Sequence, residues 1–323
     1  MRKLFKAVLI SILFFSLSFN YLSAQKIYPS AGTLSAYFLK IPLGPRPSSM
    51  AQAFASIDKD PYSFYYNPAG QLLDNKVLTL AHNRHFADFN QFFVGYGVKA
   101  NLDFLPGKDK YLFFSLNYFY TSNLEERSGE YESDPFNPGP VEGNFKAGDI
   151  CFSLNYAFSY SSNSLFGVGL KYINQKISDE SGYSFAFDIG VIKKTKIYGK
   201  DINLGFSILN IGPGIKFISK RYDLPLTFRL GSSLYLNSLL LSFDITKYID
   251  NYPYFSLGFE NKIGKYLFIR IGYRYRLYGN ELGFWSGFST GLGFEYNRLI
   301  FDYSLNPYGD LGYSHKIGLS IKY

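Results

Sequence analysis

From Lys76 to the last residue the chain alternates apolar and polar side chains in fourteen short stretches. The clearest runs from Asp149 to Tyr160, where Ile150, Phe152, Leu154, Tyr156, Phe158 and Tyr160 interleave with Cys151, Ser153, Asn155, Ala157 and Ser159. A strand sends successive side chains to opposite faces, so one face suits hydrocarbon and the other suits water or a small-residue interior. The same period predicts strands at about 76–83, 90–99, 111–120, 149–160, 164–174, 183–193, 201–208, 225–235, 238–247, 254–261, 265–277, 285–296, 299–304 and 312–323. The count is even, as in bacterial single-chain barrels, and long connections alternate with short ones. The longest, Thr121 to Gly148 and Asn210 to Leu224, follow odd-numbered strands and face outward. Ser161 to Asn163, Leu236-Asn237 and Asn297-Arg298 follow even ones and face the periplasm; Ala100 to Lys110 is a longer turn on that side. The predicted fold is an all-β, antiparallel transmembrane barrel.

Composition sharpens this. Aromatics make up 20% of 323 residues, with 30 Tyr and 33 Phe against one Trp, and Tyr belongs where a ring is buried and its hydroxyl stays wet. Beyond the N-terminal segment no apolar run is long enough to span a bilayer as a helix. A closed barrel is then the structure that leaves no strand edge unsatisfied in lipid. Residues 1–24 read as a secretory signal: Arg2, Lys3 and Lys6, an apolar stretch from Ala7 to Leu22, and a cleavage site at Leu22-Ser23-Ala24. They carry three positive and no negative charges, so their removal takes the net charge from +8 to +5. That excess is scattered, which argues against nucleic acid as a partner. A lone cysteine forms no internal disulfide, and Cys151 falls on the inward set of its strand.

The inward set is rich in glycine, including Gly95, Gly97, Gly167, Gly169, Gly190, Gly205, Gly231, Gly258, Gly272, Gly291 and Gly293. Missing side chains make room for something in the lumen, and residues 25–75, ahead of the barrel at 76–323, are the candidate plug. Ser48 to Ala55 suits a short, closely packed helix; Asp60-Pro61 and Asn67-Pro68-Ala69-Gly70 are turn signals around Tyr62, Phe64, Tyr65 and Tyr66. Inward charges have both signs: Lys99, Lys171, Asp188, Arg229, Asp244, Glu260, Arg270, Arg274, Arg276, Glu295 and Asp302. Mixed signs favour ion pairs across the lumen and to the plug over an ion-selective ring. Arg270, Arg274 and Arg276 form the one local basic row, a candidate for holding the plug or a ligand carboxylate. Catalysis has little support: Ser314 and His315 point to opposite faces, and His82 and His85 have no evident paired nucleophile. No metal-ligand spacing and no cofactor motif is present.

The final strand alternates Tyr313, His315, Ile317, Leu319, Ile321 and Tyr323 with polar or small residues. Ile321 and the terminal Tyr323 resemble the C-terminal signal by which barrels reach the assembly machinery of the outer membrane. A wider resemblance runs along the chain. Gly44-Pro45-Arg46-Pro47-Ser48-Ser49-Met50, Ala53-Phe54-Ala55, Asp60-Pro61 and Asn67-Pro68-Ala69-Gly70 are similar to the opening signature of the PorV/PorQ family, relatives of the FadL fatty-acid transporters. Asn210-Ile211-Gly212-Pro213-Gly214, Arg270-Ile271-Gly272-Tyr273-Arg274 and Ser314-His315-Lys316 continue the likeness; Ala51-Gln52 departs from it, standing where a glycine pair is usual. The resemblance implies a 14-stranded FadL-like barrel with an N-terminal plug and no enzymatic activity. It further implies a part in type IX secretion, with translocon subunits and exported cargo as partners. On that reading the 121–148 loop, with Glu125, Glu126, Arg127, Glu130, Glu132 and Asp134, is a docking surface. The alternative is a FadL-like uptake channel for hydrophobic molecules, which needs an apolar pocket beside the plug and a lateral way through the wall. A purely structural outer-membrane protein is the third possibility.

Overall fold

A computed structural model describes residues 28–100, 103–127, 139–278 and 283–323. The predicted signal segment, and Glu130, Glu132 and Asp134 of the 121–148 loop, lie outside the described residues. Fourteen antiparallel strands close into one barrel: β1 Val77–Arg84, β2 Asn90–Lys99, β3 Lys110–Arg127, β4 Val141–Ser161, β5 Ser164–Ile177, β6 Glu180–Ile197 and β7 Lys200–Ile211, then, after a small hairpin of β8 Ile215–Phe217 and β9 Lys220–Tyr222, β10 Thr227–Leu236, β11 Leu239–Tyr248, β12 Tyr254–Ile263, β13 Leu267–Arg276, β14 Phe288–Tyr296, β15 Leu299–Pro307 and β16 Tyr313–Lys322. Each barrel strand pairs with its neighbour in sequence, β7 with β10 across the hairpin, and β1 pairs with β16 to complete the ring. The backbone is thereby satisfied without an open edge, the condition for crossing hydrocarbon.

The alternation is realised side chain by side chain. On β16, Ile317 and Leu319 face out, while Ser314, Lys316 and Ser320 are buried inside. Both end strands begin and finish at one rim, where Val77 meets Lys322. That rim carries the tight turns at 161–164, 197–200, 236–239 and 296–299, and short turns mark the periplasmic side. We call it the inner rim and the opposite one the outer rim. Asn237 and Asn297 take positive φ in two of these turns, as two-residue hairpin loops demand.

Three expectations need correction, two of them in the wall. The connection expected at Thr121 to Gly148 is largely strand: β3 runs on to Arg127 and β4 starts at Val141, so Glu125, Glu126 and Arg127 sit on a ladder rather than on a free loop. The longer inner turn folds back over the wall, where Pro106 accepts the Tyr156 hydroxyl at 2.6 Å and buries a ring that the alternation assigns to lipid.

The chain ahead of β1 lies inside the barrel. Residues 28–41 sit at the outer rim, with Tyr28 edge-on to Tyr252 and Ser35 bonded to the backbone of Asp223. The chain then descends through a one-turn helix, Pro45–Ser49, and two 3-10 turns, Ser63–Tyr65 and Pro68–Gln71, to enter β1 at the inner rim. The helix expected over 48–55 is thus shorter and earlier; beyond it Ala51 and Gln52 both turn left-handed, at φ 52° and 65°.

Candidate functional site

The lumen divides into an inner half that is locked and an outer half that is filled more simply. In the inner half, the plug presses directly on glycines of the wall, mostly with its backbone. A Cβ added at Gly205 would lie 2.0 Å from the Ala55 carbonyl oxygen, one at Gly190 2.0 Å from Asn67 Oδ1, one at Gly167 2.2 Å from the Pro68 carbonyl carbon, and one at Gly272 2.3 Å from the Ala51 nitrogen. A real Cβ has no room at such distances, so these positions hold glycine because the plug is there.

Polar contacts fix the same half. Arg46 forks onto both oxygens of Glu260, at 2.8 and 2.6 Å, and also reaches Asp60 at 2.9 Å. Arg270 bonds Glu260 and Asp302, each at 2.5 Å. Two cations and three carboxylates therefore share one network, the bidentate geometry that suits guanidinium to a partly dry site. Asp244 accepts the backbone N–H groups of Phe54 and Ala55 at 2.8 Å, with Arg229 beside it. Asn67 caps the turn that follows by accepting from Ala69, and its amide donates to Ala55 and Val191. Tyr62, Phe64, Phe93 and Phe113 fill the space between.

Of the residues singled out from the sequence, those of the plug touch the wall or one another. Gly44 has φ 79° and faces the Tyr62 ring at a distance no side chain could share. Met50 is fully buried over Gly258. Asp60 also accepts the Tyr62 N–H, and Pro61 borders a polar cavity of about 140 Å³ at the inner rim with Arg46 and Arg270. Pro68 opens the last turn, and Gly70 packs against the Ile57 carbonyl. The basic row is split: Arg270 serves the inner network, whereas Arg274 donates to the Ala51 carbonyl at 3.3 Å and Arg276 lies toward the outer rim. Ile321 faces outward, opposite Leu78 and Leu299, and Tyr323 exchanges backbone bonds with Lys76 at the closing seam.

The outer half has an apolar nook. Cys151, Ile173 and Ala186, on the inner faces of β4, β5 and β6, join Ile215 and Leu224 around Ala36, Phe38 and Leu39 of the N-terminal stretch. The chain fills its own hydrophobic pocket. The stretch is held there by Tyr65, whose hydroxyl faces the Leu39 and Ile41 carbonyls at 2.7 and 2.9 Å, and by Lys40, which bonds Asp250 at 2.9 Å. Tyr37 also bonds Asp250; burial, then this carboxylate, push its phenol up to about 12.

Beside the nook the wall ladder slips. Phe187 pairs with Ile211 but Ile189 pairs with Ile208, so Asp188 is set against an extra residue of β7. Asn210 sits there at φ 62°, and its N–H goes to the Asp188 carboxylate at 2.7 Å. Lys171 bridges Asp188 and the Asn210 side chain, both at 2.7 Å, and the Asn210 amide donates to Pro225. A bulge held by side chains replaces ladder bonds at this point. On the lipid side the same stretch exposes Tyr183, Phe185, Phe187 and Ile189.

Three features escaped the sequence. Ser314 does have a histidine partner, His85, at 3.0 Å across the seam; both are buried, and the ring packs on Phe119. Only pairing of the first strand with the last shows it. The slip at Asp188 left a signal that could have found it, the Asn210-Ile211-Gly212-Pro213 run, which reads as an ordinary turn. Two sizeable apolar grooves among the described residues, about 440 and 600 Å³, lie on the lipid face of the wall, lined by residues such as Leu257 and Ile271, and Phe114 and Phe152. Among the described residues no cluster of three His, Cys, Asp or Glu could hold a metal ion.

Neither the profiles of known protein families nor curated proteins match the chain. Solved structures do. The deltaS2S3 mutant of the TodX monoaromatic hydrocarbon channel superposes with a TM-score of 0.61 at 12% identity, over 87% of this chain and 99% of that one. The CymD monoaromatic hydrocarbon channel gives 0.60 at 11%, over 88% and 98%. A Pseudomonas aeruginosa FadL homologue gives 0.54 at 13%, over 93% and 99%. The likeness is one of fold, a closed 14-strand antiparallel barrel; the first two of these neighbours are monoaromatic hydrocarbon channels.

Proposed function

We propose that the protein is a FadL-like uptake channel for hydrophobic small molecules in the outer membrane, exported by its N-terminal signal. One observation carries this reading. An apolar nook, occupied by the chain's own Phe38 and Leu39, lies directly against a slipped stretch of wall whose outer face is aromatic and lipid-exposed. An apolar solute entering from the outer rim displaces residues 36–41 from the nook and leaves sideways past the Asp188–Asn210 bulge, so the inner half stays shut. The folds of the neighbouring hydrocarbon channels support it.

The test uses the native Cys151, which shares the nook with Ala36. Cells expressing the protein with Ala36→Cys should take up radiolabelled toluene faster than cells without it. A thiol cross-linker should abolish the gain, and a cleavable linker should restore it on reduction. Uptake equal with and without the protein would sink the channel reading.

A second reading, an accessory of type IX secretion that assists export or attachment of cargo beside translocon subunits, is favoured by the sequence likeness to the PorV/PorQ family and by a lumen shut at its inner half. Deletion in the host, with quantitative mass spectrometry of periplasm and surface, decides it: cargo sharing one C-terminal domain should accumulate inside. An unchanged set removes this reading.

A further inference from the structure

We propose that the outer half of the lumen holds a small monovalent anion, of halide size, between the plug and β13–β15. Charge first points to it. Four other lumen cations each face a carboxylate: Arg46 and Arg270 share Glu260, Lys171 has Asp188, and Arg229 has Asp244 at 4.0 Å. Arg274 and Lys316 differ. Lys316 is fully buried and donates to the Pro42 carbonyl at 2.6 Å; Arg274 donates to the Ala51 carbonyl and lies 4.6 Å from the Tyr254 ring centroid. Among the described residues, no carboxylate oxygen lies within the 4.0 Å that defines an ion pair for either. Uncompensated charge in a dry interior is costly, and a carbonyl offers only a dipole.

Space and donors point to the same place. A cavity of about 30 Å³ opens between Pro42, Ser48 and Ala51 of the plug and Arg274, Ser289 and Asn306 of the wall. That is room for one or two waters or a bare halide, and too little for a solute. Arg274 Nε has no hydrogen-bond partner among the described residues, so one N–H of this guanidinium is unused. The plug carbonyls nearby are already taken: Ser289 donates to Ser49, Asn306 to Ser48, and Lys316 to Pro42. What remains on offer is positive charge and an N–H. An anion here would offset part of that charge and tie the descending plug to β13, on the far side of the ring from the nook, independently of whether the nook conducts.

The probe is bromide. Crystals of the intact protein grown in sodium bromide should show an anomalous peak in the cavity beside Arg274. In detergent, replacing gluconate by bromide at constant ionic strength should raise the melting midpoint in a saturable way. The rise should vanish in Arg274→Gln and in Lys316→Met, and persist in Lys193→Met, which removes a cation from the inner rim. No peak at the cavity in the unmodified protein, the result expected if water alone fills it, would overturn the proposal. So would a midpoint that does not distinguish the two salts.

Discussion

The two halves of the lumen are packed by different means. In the inner half, plug backbone sits on bare glycine and a five-member network of Arg46, Asp60, Glu260, Arg270 and Asp302 spans plug and wall. In the outer half, a short apolar stretch lies in a nook, held by single hydrogen bonds from Ser35, Tyr37 and Tyr65 and by the Lys40–Asp250 pair. The first arrangement has no room to move and loses several charge-assisted bonds at once if it tries. The second can exchange one apolar occupant for another at little net loss of burial. Motion, if the barrel is to pass anything, belongs to the outer half.

Four changes would break or sharpen that contrast. Gly205→Val should have the largest effect, because its side chain meets fixed backbone of the plug; we expect a loss of more than about 3 kcal/mol, read by urea unfolding in vesicles. A stable, normally plugged variant would show that the inner packing is soft. Arg46→Met should cost about 3 kcal/mol, near the low end for breaking a buried ionic group, since the cavity beside Arg46, Asp60 and Asp302 admits water to the network. Tyr65→Phe should cost only about 1 kcal/mol, and the cost should be local. Hydrogen exchange should quicken at residues 38–41 and stay unchanged at 54–57; equal acceleration would erase the distinction between halves. Ala51→Gly should stabilise by up to about 1 kcal/mol, by relieving a left-handed alanine where the resembling family carries glycine.

Much of this was legible in the chain. Every barrel strand showed through because lipid demands strict alternation, and the inward glycines foretold a body in the lumen. Legibility failed where that demand lapses. Beyond the membrane both faces of a strand are wet, so the outer parts of β3 and β4, with Glu125, Glu126 and Lys146, carry no period and read as loop. Signs of inward charges were readable, yet their partners were not: Arg46 with Glu260, and Ser314 with His85, are joined only by closure of the ring. The slip at Asp188 was hidden for another reason, since its Asn-Ile-Gly-Pro run has the composition of a common turn.

The glycine contacts also constrain how the molecule is made. The plug precedes β1, and the seam that shuts the ring joins Val77–Arg84 to His315–Lys322, segments at opposite ends of the folding chain. With wall and plug this close, a finished barrel offers no gap through which residues 42–73 could be threaded afterwards. We expect the plug to be seated while the seam is still open, with the wall wrapping around it. Synthesis delivers the filling before its container, and on this order closure of the seam is the step that makes the enclosure irreversible.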